Sequence, residues 1–138
     1  MKKLFMALFV LVIGCQSLPP EAYFIDKNQI EGEINIDSSI KDKCSGTLFI
    51  IVRKGITPQP LAVKNVTNPK FPYKFSVSPA EVLSEERFKE FEGELILSAR
   101  ISKSGAVVPS EGDCESEAIL VKSGDRNIKL TINRVIKQ

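Results

Sequence analysis

The chain has 138 residues, 43% of them hydrophobic, with 19 basic residues against 17 acidic ones and no His or Trp. Its only methionines are Met1 and Met6, so a form beginning at Cys15 lacks His, Met and Trp together. The imidazole and thioether ligands of zinc, copper and haem sites are then missing, as is the commonest general base near neutrality; this speaks against a metalloenzyme, a cytochrome or a His-dependent hydrolase.

Lys2 and Lys3 open the chain, and Leu4 to Ile13 is an apolar run of ten. That is far short of the roughly 20 residues a helix needs to cross a bilayer, and it has the shape of a secretory signal. The run ends in Val12-Ile13-Gly14-Cys15, which resembles a bacterial lipobox. The resemblance implies cleavage before Cys15 and acylation of its sulfur and new amino group. Three segments are therefore expected: a lipoprotein signal peptide over 1–14, the lipidated Cys15 with a linker over 15–27, and one domain over 28–138. Gln16 to Pro20 reads as a polar, proline-stiffened leash. The protein is expected in the cell envelope, facing the periplasm, and Gln16 in place of Asp after the cysteine favours the outer membrane over the inner. Loss of Lys2 and Lys3 leaves 17 basic and 17 acidic residues, a balance that offers nothing to nucleic acid.

Beyond the leash the apolar residues alternate. Ile30, Gly32, Ile34 and Ile36 form the first phase, with Glu31, Glu33 and Asn35 between them. Leu48 to Val52 is apolar on both faces and reads as a central strand, followed by a shorter candidate at Leu61 to Val66. Phe71, Tyr73, Phe75 and Val77 alternate with polar residues and Pro72. So do Leu95, Leu97, Ala99 and Ile101 with Ile96, Ser98, Arg100 and Ser102. Ala118 to Val121 and the alternation of Ile128, Leu130 and Ile132 complete the set. A period of two over four to eight residues marks strands with one face in a core. About seven such strands, divided by Gly and Pro, predict an all-β, immunoglobulin-like antiparallel sandwich. One stretch departs: Ser78-Pro79-Ala80-Glu81 has a capping-box pattern, and residues 79–91 are expected as a short helical crossover anchored by Phe88 and Phe91.

With Cys15 lipidated, Cys44 and Cys114 remain as an even pair in an oxidising compartment. A structural disulfide is the leading expectation. Two separate buried thiols and a redox-active pair are the alternatives, the last without the C-x-x-C spacing that tunes such chemistry. Asn65-Val66-Thr67 matches a glycosylation acceptor but reads as strand sequence. No G-x-S-x-G nucleophile elbow occurs.

From Leu48 onward the chain resembles a known family. LFIIVR at 48–53, PQPLAVK at 58–64, FPYKFSVS at 71–78, ARISKSG at 99–105, GD at 112–113 and NRV at 133–135 follow one another in a characteristic order. The segments resemble the periplasmic C-terminal immunoglobulin-like domain of the CycH-type cytochrome c biogenesis protein, PLAVK and ARISKSG being the most specific. The resemblance implies a non-catalytic role without cofactor or metal: binding unfolded apocytochrome c, or other maturation proteins, while haem is attached. A structural or scaffolding envelope lipoprotein is the alternative. Family members carry the domain behind membrane helices and a helical repeat region, where this chain is expected to carry a lipid. Cys114 stands where a leucine often follows Gly-Asp, and Pro58-Gln59-Pro60 where the family tends to have Pro-Met-Pro.

The candidate partner-binding residues are Arg100, Ser102 and Lys103, with Ser98 and Ser104 beside them on the polar phase of one strand. An arginine there is suited to a partner's carboxylate, and an exposed sheet edge nearby could accept an extended peptide by strand addition. Pro58 and Pro60 are read as shaping an exposed loop.

Overall fold

The alternating phases become eight strands in the computed structural model, which describes residues 19–137. They are β1 (Ile30–Ile36), β2 (Thr47–Arg53), β3 (Ala62–Thr67), β4 (Tyr73–Val77), β5 (Glu94–Ser102), β6 (Cys114–Ser116), β7 (Ile119–Lys122) and β8 (Ile128–Val135), preceded by a helix, α1 (Pro20–Asn28). The hydrogen-bonded order is β3-β2-β5-β6-β8-β1-β4, with β7 also on β5. β5 divides its free side, giving Glu94–Leu97 to β7 and Arg100–Ile101 to β6. β6 also pairs β8, so this short strand joins a β3-β2-β5-β7 layer to a β4-β1-β8 layer. The result is an immunoglobulin-like all-β sandwich closed along one side, almost into a barrel.

The inward phases are those read from the sequence. Ile30 and Ile34 of β1, Leu48, Ile50 and Val52 of β2, Phe75 and Val77 of β4, Leu95, Leu97, Ala99 and Ile101 of β5, and Ile128, Leu130 and Ile132 of β8 form one buried cluster. Removing each of these side chains except the small Ala99 from water stabilises the fold by roughly 1.5–3 kcal/mol, before the opposing conformational entropy.

Three details go beyond the expected sandwich of about seven strands. There are eight strands, because β6 has three residues, too few to display a period. The sheet is not wholly antiparallel, since β1 and β8 run parallel from Gly32↔Ile128 to Ile36↔Ile132. Their approach explains Gly32: it shares the inward phase, and a Cβ there would run into the backbone carbonyl of Ile128. The linker expected over 15–27 gives way to α1 from Pro20. Proline suits the first helical turn, where its missing N–H costs nothing. Phe24 and Asn28 are then buried against the domain, Phe24 stacking on Phe88 at 5.1 Å between ring centroids.

The crossover between β4 and β5 holds two short 3-10 helices, Pro79–Glu81 and Glu85–Glu90. The capping box is real: the Ser78 amide donates to Glu81 Oε2 (2.9 Å) and the Ala80 amide to Ser78 Oγ (3.1 Å). Phe91 is fully buried and Phe88 half-buried.

The register sorts the connections to two poles. α1 and the segments 54–61, 78–93 and 123–127 lie at one; 37–46, 68–72, 103–113 and the residues after Val135 lie at the other. Among the described residues no helix is long and apolar enough to cross a membrane. The apolar run 4–13 and Cys15 fall outside them.

Gly32→Ala is expected to lower stability by about 1–3 kcal/mol, as overpacking does. Asn35→Ala, on the exposed phase of the same strand, should stay within about 0.5 kcal/mol. Urea unfolding midpoints of the two variants check this.

Candidate functional site

β2 is apolar on both faces because both are covered. Leu48, Ile50 and Val52 enter the core, whereas Phe49 and Ile51 point to the other side and are still only 2% and 7% exposed. Their cover is the β5–β6 connection, residues 103–113, which is turned back over the outer face of the sheet. What holds it there begins at Arg100, paired across from Phe49 in the ladder.

The Arg100 guanidinium lies 5.4 Å above the Phe49 ring. Its Nη1 donates to Asp113 Oδ2 (3.2 Å) and to the Ala106 carbonyl (3.4 Å), and its Nη2 donates to the Val107 carbonyl. Asp113 in turn accepts from the Ser110 amide (3.0 Å), the Ser110 hydroxyl (3.4 Å) and the Lys103 amide (3.4 Å). The two side chains are 4% and 1% exposed. A buried ion pair returns its desolvation cost only when the remaining donors and acceptors are satisfied, and here they are. Ser102 adds a further tie, its Oγ accepting from the Gly105 amide at 3.1 Å.

Between this connection and the 54–61 loop runs a groove of about 300 Å³. Ile51, Val63 and Ser98 form its floor, Pro58 and Pro60 one wall, and Val107, Val108 and Pro109 the other. Val107 and Val108 are 54% and 73% exposed, so the wall is both apolar and wet. Arg53 and Glu115 stand in the lining as well. Glu115 is taken by Arg134 at 2.9 Å, while Arg53 makes no ion pair among the described residues. The arrangement can accommodate an apolar segment, with one cation free for a carboxylate.

This corrects the sequence expectation for Arg100 and Ser102. Neither lies on a solvated face: they are 3% and 0% exposed. Arg100 could not be foreseen as buried because its partners, Asp113 and two carbonyls, come from a loop with no periodic signal. Nor does it lie beside a sheet edge, since β5 runs between β2 and β6 there. Lys103 is exposed at the start of the loop, Ser104 is also exposed, and Ser98 is half-buried in the groove. Pro58 and Pro60 shape a loop as expected, and that loop is a groove wall. Val107 and Val108 were not singled out from sequence, although an apolar Val-Val-Pro inside a connection was the available signal; Asp113 stood in the Gly-Asp pair of the family resemblance but was given no role. The true edges are β3, β4 and β7, the first partly sealed by the Leu83 amide donating to the Leu61 carbonyl (3.0 Å).

Cys44 and Cys114 are bridged at a sequence separation of 70, with 5.8 Å between their Cα atoms. The bridge ties the β1–β2 connection to β6 beside the base of the 103–113 loop. Cys114 is buried, at 0% exposed.

Fold and groove together define an immunoglobulin-like domain with a recessed surface on one layer. The family model described as the cytochrome c-type biogenesis protein H Ig-like domain matches residues 30–133, and the chain belongs to that family. An uncharacterized protein of Aquifex aeolicus (strain VF5) is 34% identical over 150 aligned positions, covering 100% of this chain and 98% of that protein. No solved structure matches the chain.

Arg100→Ala leaves Asp113 buried without its partner and is expected to cost about 3–5 kcal/mol. The double variant Arg100→Ala, Asp113→Ala should recover part of that loss. Breaking the bridge with Cys44→Ala, Cys114→Ala should cost about 2–4 kcal/mol. Guanidinium unfolding of the three variants checks both expectations; an Arg100→Ala variant as stable as the parent would contradict the buried pair.

Proposed function

We propose that this protein is held in the envelope membrane by lipid on Cys15, the outer membrane being favoured. Its domain holds an unfolded apocytochrome c, or another maturation component, during the making of c-type cytochromes. The observation that carries this reading is the groove over β2 and β5, an apolar trough walled by Val107, Val108, Pro58 and Pro60 in a domain of the cytochrome c biogenesis type. An unfolded chain exposes apolar side chains and main-chain polar groups together. The groove offers apolar walls to the former. Arg53 in the groove lining offers charge to a carboxylate on the partner, and Lys103, at the start of the 103–113 connection, offers a second cation farther along. Arg100 and Ser102 act indirectly, by fixing the loop that forms the wall.

No haem ligand is required for this task, and a chain beginning at Cys15 supplies neither His nor Met. Holding a haemless polypeptide fits that composition.

The paired change Val107→Ser, Val108→Ser should weaken apocytochrome binding roughly tenfold, the loss of two partly desolvated valines. Stability should move within about 0.5 kcal/mol, because both side chains are exposed in the free protein. Isothermal titration with a haem-free apocytochrome checks the first, and thermal unfolding the second. In cells, Cys15→Ala should leave an unprocessed precursor, and deletion should lower c-type cytochromes. Normal cytochrome levels on deletion would favour the scaffolding role instead.

A further inference from the structure

The pole that carries α1 also carries three of the most exposed large apolar side chains. Tyr23 is 67% exposed, Ile56 101% and Leu83 63%. They come from three separate segments that the register brings together: α1, the β2–β3 loop and the β4–β5 crossover. The segments are tied to one another. The Leu83 amide donates to the Leu61 carbonyl (3.0 Å), and Lys54 Nζ reaches the Glu92 carbonyl. Phe24 stacks on Phe88, and Lys27 pairs with Glu92 at 3.7 Å. The pole is therefore one surface, with α1 docked on it.

Chain length decides what that surface meets. Five peptide bonds separate Cys15 from Pro20, and even fully extended they reach at most about 18 Å. Because α1 is fixed to the domain, a lipid on Cys15 brings this pole to the headgroups. The opposite pole lies farther off by the length of a strand, seven residues in β2, or roughly 23 Å. We propose that the α1 pole lies on the bilayer surface, with Tyr23, Ile56 and Leu83 at the level of the headgroups. This rests on the reading that Cys15 carries the lipid.

Tyrosine favours the membrane–water boundary, where its ring is sheltered and its hydroxyl wet. Contact by apolar side chains adds to acyl chains as a second attachment signal, and stable anchoring commonly needs two. The attraction is not to anionic lipid. Over the segments of this pole, 20–28, 54–61, 78–93 and 123–127, there are eight acidic residues against five basic ones, so zwitterionic lipid is the surface that fits. Seated this way, the domain turns the Cys44–Cys114 bridge away from the membrane and leaves the groove on its flank, with the 54–61 wall nearest the bilayer. A partner then approaches the groove from the aqueous side.

The absence of tryptophan makes the test clean. With Cys44 and Cys114 bridged, the Cys15 thiol of a chain beginning there can be coupled to a maleimide-bearing lipid in phosphatidylcholine vesicles. Ile56→Trp then places a single indole at the α1 pole, and Lys70→Trp places one at the other. The Ile56→Trp variant should shift its emission to the blue and lose more than half of it to lipids brominated near the headgroup; the Lys70→Trp variant should do neither. Adding Tyr23→Ser and Leu83→Ser to Ile56→Trp should reduce the quenching. No quenching of the Ile56→Trp variant, or equal quenching of both, overturns the proposal. Chemical coupling replaces cellular lipidation and no apocytochrome is present, so either result leaves the maturation role to its own tests.

Discussion

The Arg100–Asp113 pair is the contact on which the outer surface of the domain depends. A sandwich of this size buries its inner phases whatever happens outside, but β2 carries Phe49 and Ile51 on its other face. Without the pair, the middle of residues 103–113 loses its polar tie to the sheet, leaving those at Gly105 to Ser102 and at Gly112 and Asp113 to Ile136, and two large apolar side chains lose their cover. With it, a connection that lacks regular structure is fixed by donors and acceptors at both of its ends. The same tie raises Val107 and Val108 into a wall. Covering the sheet and building the groove are thus one event.

The disulfide supports that arrangement from below. Cys114 follows Asp113 directly, and its bridge to Cys44 ties β6 to the β1–β2 connection at a sequence separation of 70. β6 is the shortest strand and the one that joins the two layers. The tie constrains the unfolded chain through the long loop it closes, and in the folded domain it fixes the shortest strand. Gly32 plays the matching part on the other layer, letting β1 and β8 approach in parallel. The layers are closed by these two devices and by the continuous apolar core between them.

Much of this was legible in the sequence, for a physical reason. Period-two alternation is imposed by the strand itself, so Ile30/Ile34, Leu95/Leu97/Ala99/Ile101 and Ile128/Leu130/Ile132 announced their inward phase. The capping box at Ser78–Glu81 is equally local and was equally readable. What escaped depends on partners distant in sequence. Arg100 occupies an outward phase, and alternation alone assigns such a residue to water; only the return of Asp113 makes it buried. β6 is too short to show a period, and the parallel β1–β8 pair leaves no mark in either strand. α1 was hidden by two prolines that read as a leash, although Pro20 begins a helix well. The groove was least visible of all, because its walls are loops whose positions are set by the ion pair and not by any pattern of their own.

The surface built over β2 and β5 is the proposed meeting place with an unfolded cytochrome chain. Amide hydrogen exchange of the full domain with and without haem-free apocytochrome tests it most directly, since exchange reports protection segment by segment. Added protection is expected in 54–61 and 103–113, with the β4-β1-β8 layer unchanged. Protection confined to β4, β1 and β8, or none at saturating apocytochrome, would contradict it.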